Sequence, residues 1–205
     1  MDCTTTPLFK FLATDMMAPI GHGRYTLNRW CSVRGPLVPC GNGLHAAPAD
    51  NLVSFISETL WRVEIGDEFL WHEDDALGRK LVARRMRVVE QITTWNERSA
   101  RLFAADCAER VLPLFEAQCP DDTRPRQAIE TARRFADGLA SREELATARG
   151  AAWAADSAPY SAAYSAADRA YRAASRAADS AADSAAERQW QNAHLAEMLG
   201  LEVAP

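Results

Sequence analysis

The chain has 205 residues, enough for one large domain or two small ones, and 48% of them are hydrophobic, which supports a packed core and excludes wholesale disorder. Its net charge of -5, from 28 acidic and 23 basic residues, argues against a general nucleic-acid binder, which needs a basic face. No run of about 18 apolar residues is present to span a membrane, and Met1-Asp2-Cys3-Thr4 lacks the basic start and apolar run of a secretory signal.

In chain order, residues 1–93 read as a small α+β module. Leu8-Phe9-Lys10-Phe11-Leu12 is a short apolar strand, and Tyr25 to Val33, with Trp30 inside it, a weaker one. Gly and Pro cluster from Pro19 to Gly43 and mark loops. Pro48 to Ile56 reads as one short helix capped at or just before Asp50. From Leu60 to Ile65 the pattern alternates, with Trp61, Val63 and Ile65 on one face and Arg62 and Glu64 on the other, closed by Gly66-Asp67. Leu81 to Glu90 continues this as a strand with Val82, Met86 and Val88 on one face, although Arg84 breaks the pattern. Trp71-His72-Glu73-Asp74-Asp75 is faintly metal-like but reads better as a solvated loop.

Residues 94–205 read as all-helical. Thr94-Trp95-Asn96-Glu97 has the form of a capping box and opens a helix to about Gln118, ending at Pro120. Leu102, Phe103, Val111, Leu112, Leu114 and Phe115 form its apolar face. A second helix opens at Pro125, turns Ala128, Ile129, Ala132, Phe135 and Ala136 inward, and stops at Gly138. Ser141-Arg142-Glu143-Glu144 is a further capping box for a third helix. Beyond Ala146 alanine dominates, and the steps 162, 166, 170, 173, 177 lie close to an eleven-residue helical stripe. Pro159 breaks this stretch, which predicts a long helix from about Ser161 to Leu199. Trp153, Tyr160, Tyr164, Tyr171 and Trp190 punctuate the alanines, as packing residues or as an exposed docking strip. The flat alanine face also suits pairing with a second copy of the chain.

Three sets of residues carry candidate chemistry. Cys40-Gly41-Asn42-Gly43-Leu44-His45 reads as a tight turn leading into an extended segment. One reading is a pocket lined by His45, Asn42 and the Cys40 thiol; the other is a structural turn with a hydrogen-bonded His and a buried Cys. Arg124, Arg126, Glu130, Arg133, Arg134 and Asp137 crowd the second helix. Arg126–Glu130, Glu130–Arg134 and Arg133–Asp137 are spaced four apart and predict surface pairs worth ~0.3–0.5 kcal/mol each, unless the arginines form a recognition face for carboxylate or phosphate. The five cysteines, Cys3, Cys31, Cys40, Cys107 and Cys119, are odd in number and form no Cys-x-x-Cys pair, which predicts reduced thiols in a cytoplasm and no zinc site. No phosphate-cradling glycine loop, Gly-x-Ser-x-Gly elbow or His-Glu-x-x-His pair is present, so no catalytic residue, metal or cofactor is expected.

Cys107 to Glu116, with its Glu109-Arg110-Val111-Leu112-Pro113-Leu114-Phe115-Glu116 core, and Arg124-Pro125-Arg126-Gln127-Ala128-Ile129-Glu130 resemble the bacterial immunity protein family found near polymorphic toxins. The resemblance covers about residues 95 to 200. It implies an all-helical, non-enzymatic protein that neutralises a toxin by contact. Phe9-Lys10, Gly35-Pro36-Leu37-Val38-Pro39-Cys40 and Asn42-Gly43-Leu44-His45-Ala46 resemble a small domain of bacteria and their phages to which no activity attaches. Two functions are therefore expected in order: an immunity-like protein binder, and a nucleotide-binding or enzymatic N-terminal module with its pocket near His45.

Overall fold

A computed structural model describes residues 6–19, 23–74, 78–153 and 184–203. The architecture is α+β, as the sequence predicts: a seven-stranded antiparallel sheet is followed by helices. The chain separates into two compact units, residues 1–95 with 189–205, and residues 96–188.

The strands are β1 (Leu8–Leu12), β2 (Cys31–Ser32), β3 (Leu44–Pro48), β4 (Thr59–Ile65), β5 (Phe69–Asp74), β6 (Gly78–Ala83) and β7 (Arg85–Gln91), in the sheet order β2-β7-β4-β1-β3-β6-β5. The segments 59–74 and 78–91 form one long hairpin, in which β4 pairs with β7 and β5 with β6. β1 and β3 lie side by side and bridge its two halves, β1 on β4 and β3 on β6. One side of the sheet buries Leu8, Leu12, Ala46, Val63, Leu81, Ala83, Met86 and Val88 together with Tyr25, with Trp61 and Ile65 packed against them. The alternation read in β4 is thus realised.

The hairpin corrects two expectations. Leu81 to Glu90 is not one strand: the chain bends at Arg84, and the inward parity changes from Leu81 and Ala83 to Met86 and Val88. Val82 is buried but shares the opposite face with His45. Arg84 holds the bend: its guanidinium donates to Glu68 at 2.5 and 2.6 Å and to the carbonyls of Val33 and Gly35. Phe69 to Asp74 is strand, not loop, because β6 supplies a partner for every residue and Phe69 and Trp71 pack on the core. No group of three His, Cys, Asp or Glu converges there or elsewhere among the described residues.

Two local readings also change. Of Tyr25 to Val33 only Cys31–Ser32 is strand; Tyr25 instead drops into the core and Trp30 lies beneath the Arg85 and Arg87 guanidiniums. The helix expected at 48–56 is two 3₁₀ turns, Ala49–Asn51 and Val53–Phe55, opened by Pro48 with no side-chain cap from Asp50. Long-range bonds fix the segment, and one of them uses a backbone group that a continuous helix needs. Val53 N–H donates to Asn192 Oδ1 at 2.9 Å, and the Asn51 side-chain Nδ2 donates to the Arg79 carbonyl at 2.6 Å.

The helices are α1 (Glu97–Gln118), α2 (Arg124–Ala136), α3 (Arg142–Trp153) and α4 (Ser184–Leu199). The capping box of α1 is built by Asn96 and Ser99, not by Thr94 and Glu97. The Thr94 hydroxyl donates instead to the Leu199 carbonyl at 3.2 Å, leaving Asn96 as the last residue before the helical angles begin. Gly138 ends α2 with φ +73°, and Ser141 with Glu144 forms the reciprocal cap of α3, both as predicted. The alanine stripe, the Pro159 break and Tyr160, Tyr164 and Tyr171 lie outside the described residues; helix is present from Ser184 to Leu199.

Candidate functional site

The turn at 35–45 is built by side-chain bonds to backbone. The Asn42 amide donates to the carbonyls of Arg34 and Pro36 at 2.8 and 2.7 Å, and Val38 and Asn42 exchange backbone bonds at 2.8 Å. Cys40 takes the left-handed conformation, φ +59°. Gly43 is required by contact: a β-carbon there would lie 2.2 Å from Val82 Cγ1. The sequence therefore swings Cys40 back over the start of β3, where His45 stands.

Cys40 and His45 do meet, but through the backbone. The Cys40 N–H donates to His45 Nε2 at 3.2 Å, which assigns the ring proton to Nδ1. The thiol faces a different group: Lys80 Nζ donates to Cys40 Sγ at 2.9 Å. Register explains the grouping, since His45 lies opposite Val82 and His72 opposite Lys80 on adjacent strands, all on one face. On the neighbouring strand Lys10 Nζ donates to the His45 carbonyl at 2.8 Å and lies 5.3 Å from the Tyr25 ring centre.

The electrostatics follow from this crowding. Burial first, then the charges of Lys10, Lys80 and His72, push the His45 imidazole down to about 4. Burial alone brings the Lys10 ammonium down to about 8. His45 is thus a neutral acceptor already engaged by an amide, and no hydrogen bond joins it to the thiol. The Cys–His activation geometry is not formed. Gly41 and Gly43 lead into a strand, not the amino end of a helix, so the turn presents no phosphate cradle.

Lys10 and Lys80 were missed in the sequence as site residues, and His72 was weighed only as part of a metal-like loop. A signal was present: in Gly78–Ala83, Lys80 stands two residues from Val82 on a strand otherwise apolar after it, which puts an ammonium on a face that has to be buried.

The second candidate set is arranged differently from its spacing. The α2 arginines bond to acids of other segments, not four residues along their own helix. Arg126 forms a two-pronged pair with Glu116 at 2.8 Å, Arg133 reaches Asp106 and Glu109 at 2.5 Å, and Arg134 meets Glu144 at 3.5 Å. Arg124 closes on Asp122, and Asp137 pairs with Arg98. Glu130 is exposed, and no ion pair forms on it among the described residues. Where α2 packs on α1 and α3, facing carboxylates lie partly buried and offer the planar guanidinium a better fork than an exposed neighbour on the same helix. Sequence spacing measures only the latter.

No described helix is long and apolar enough to cross a membrane. Comparison with curated proteins finds no match, and comparison with solved structures finds none either. Residues 90–182, somewhat under half of the chain, match the family described as Imm-5 like putative immunity protein, which supports the immunity-protein kinship of the C-terminal half.

Proposed function

We propose that this chain is an immunity protein: a non-enzymatic binder that neutralises a toxin in the cytoplasm by contact through its helical half. The observation that carries this reading is the family match over residues 90–182. The surface chemistry is compatible with it. The helical unit exposes Leu114 and Leu139, at 46% and 68%, among arginine–carboxylate pairs that can be exchanged for pairs with a partner. Glu130 and the half-exposed Arg124, Arg126 and Arg134 form the recognition face in this proposal, with Arg133 anchoring it from beneath.

The test is co-expression of the full chain with the toxin encoded beside its gene. Growth should be restored and a complex should co-purify. The charge reversals Arg126→Glu and Glu130→Arg together should weaken the complex at least tenfold while the protein stays folded. Absence of protection by the wild-type chain would overturn the reading.

A further inference from the structure

The chain contains two lysines against twenty-one arginines, and both lysines, Lys10 and Lys80, lie at the 40–45 turn. Every described ion pair of the molecule uses arginine. A guanidinium is always charged and a poor nucleophile, whereas a lysine can present a free amine. Lys80 is 3% exposed, and its one hydrogen bond among the described residues goes to the sulfur of Cys40, an exposed residue. An amine-bearing side chain is thus held 2.9 Å from the sulfur of a solvent-exposed residue.

We propose that Cys40 and Lys80 are an oxidation-responsive modification site, which hydrogen peroxide closes into a sulfur–nitrogen cross-link between the turn and β6. Peroxide oxidises the thiol to a sulfenic acid and is reduced to one water. The Lys80 amine, its extra proton released to solvent, attacks the sulfenic sulfur. The S–N bond forms as the S–O bond breaks, and the leaving hydroxide takes the second amine proton to become water. One thiol, one amine and one peroxide give one sulfenamide and two waters. The other cysteines among the described residues lack this arrangement. Cys107 is fully buried and its thiol is pushed up by burial, and Cys31 is half-buried and likewise pushed up. Cys119 is exposed in a segment whose nearest charged neighbour in sequence is an acid, Asp121. This inference does not depend on the immunity reading.

The experiment treats the purified full chain with a small excess of peroxide and follows intact mass and digested peptides. The expected product has lost two hydrogens, joins the Cys40 and Lys80 peptides, and reverts with a thiol reductant. Cys40→Ser, at an exposed position, should abolish it. Lys80→Arg, which keeps the charge and removes the amine, should carry Cys40 on to sulfinic acid instead. The same treatment in denaturant, which needs no variant to fold, should yield no Cys40–Lys80 product. Oxidation of wild-type Cys40 to sulfenic or sulfinic acid with Lys80 unmodified would overturn the proposal, as would equal cross-linking in denaturant.

Discussion

The two units hold themselves together by different means. The sheet unit buries large side chains on both faces: Leu12, Leu52, Leu60, Leu81, Val82, Met86, Val88 and Leu195 are all sealed from solvent. The helical unit also seals Phe103 and Cys107 from solvent and has a smaller cluster of Ala105, Leu112 and Ile129 with Ala108 packed on it, and it adds arginine–carboxylate pairs between helices. Burying one leucine contributes roughly 1.5–3 kcal/mol, whereas an exposed pair contributes about 0–1 kcal/mol and fades with salt. The lesson is one of proportion: the sheet unit relies on apolar packing, and the helical unit adds to its packing a lattice of arginine–carboxylate pairs between helices.

That contrast can be broken most decisively in the sheet. Leu81→Ala should lower stability by about 2–5 kcal/mol in chemical denaturation, because the hairpin closes around it. Should it cost less than any ion-pair removal in α2, the contrast fails. Gly43→Ala forces a β-carbon against Val82 and should cost about 1–3 kcal/mol, with the cross-link of Cys40 and Lys80 slowed as the turn shifts. In the helical unit, Ser141→Ala removes the reciprocal cap and should cost about 1 kcal/mol, read as faster amide exchange at the start of α3. Arg133→Met removes two half-exposed pairs and should cost about 1 kcal/mol or less, a difference that molar salt largely erases. Retention of the full difference in salt would show that Arg133 acts by packing.

The last effect is a slope with pH. The folded imidazole of His45 is held down at about 4, below its ordinary 6.5. Between those values the unfolded chain binds the extra proton, so the contribution is intact above pH 6.5 and is lost as pH falls toward 4. His45→Gln, which keeps an acceptor for the Cys40 amide, should flatten the melting temperature across that window. An unchanged slope would place the titration elsewhere.

Much of this was legible because it is local. The alternation of Trp61, Val63 and Ile65, the stop at Gly138 and the Ser141–Glu144 box each depend on residues a few positions apart, and each is present in the structure. The shifted cap shows the limit: Thr94 and Asn96 are both good cap residues, and a bond from Thr94 to Leu199, 105 positions away, decided between them.

The sequence by itself determined the class of the strongly patterned segments: the strands β1 and β4, the described helices after residue 93, and a turn at 40–45. Tertiary structure alone decided who meets whom. β5 exists because β6 lies beside it, the α2 arginines bond to acids on other segments, and Cys40 faces Lys80 instead of His45. The physical reason is reach. Backbone angles and side-chain period are set within about one or two turns of chain, whereas a hydrogen bond or ion pair goes to whichever partner packing brings within 3–4 Å, regardless of separation in sequence.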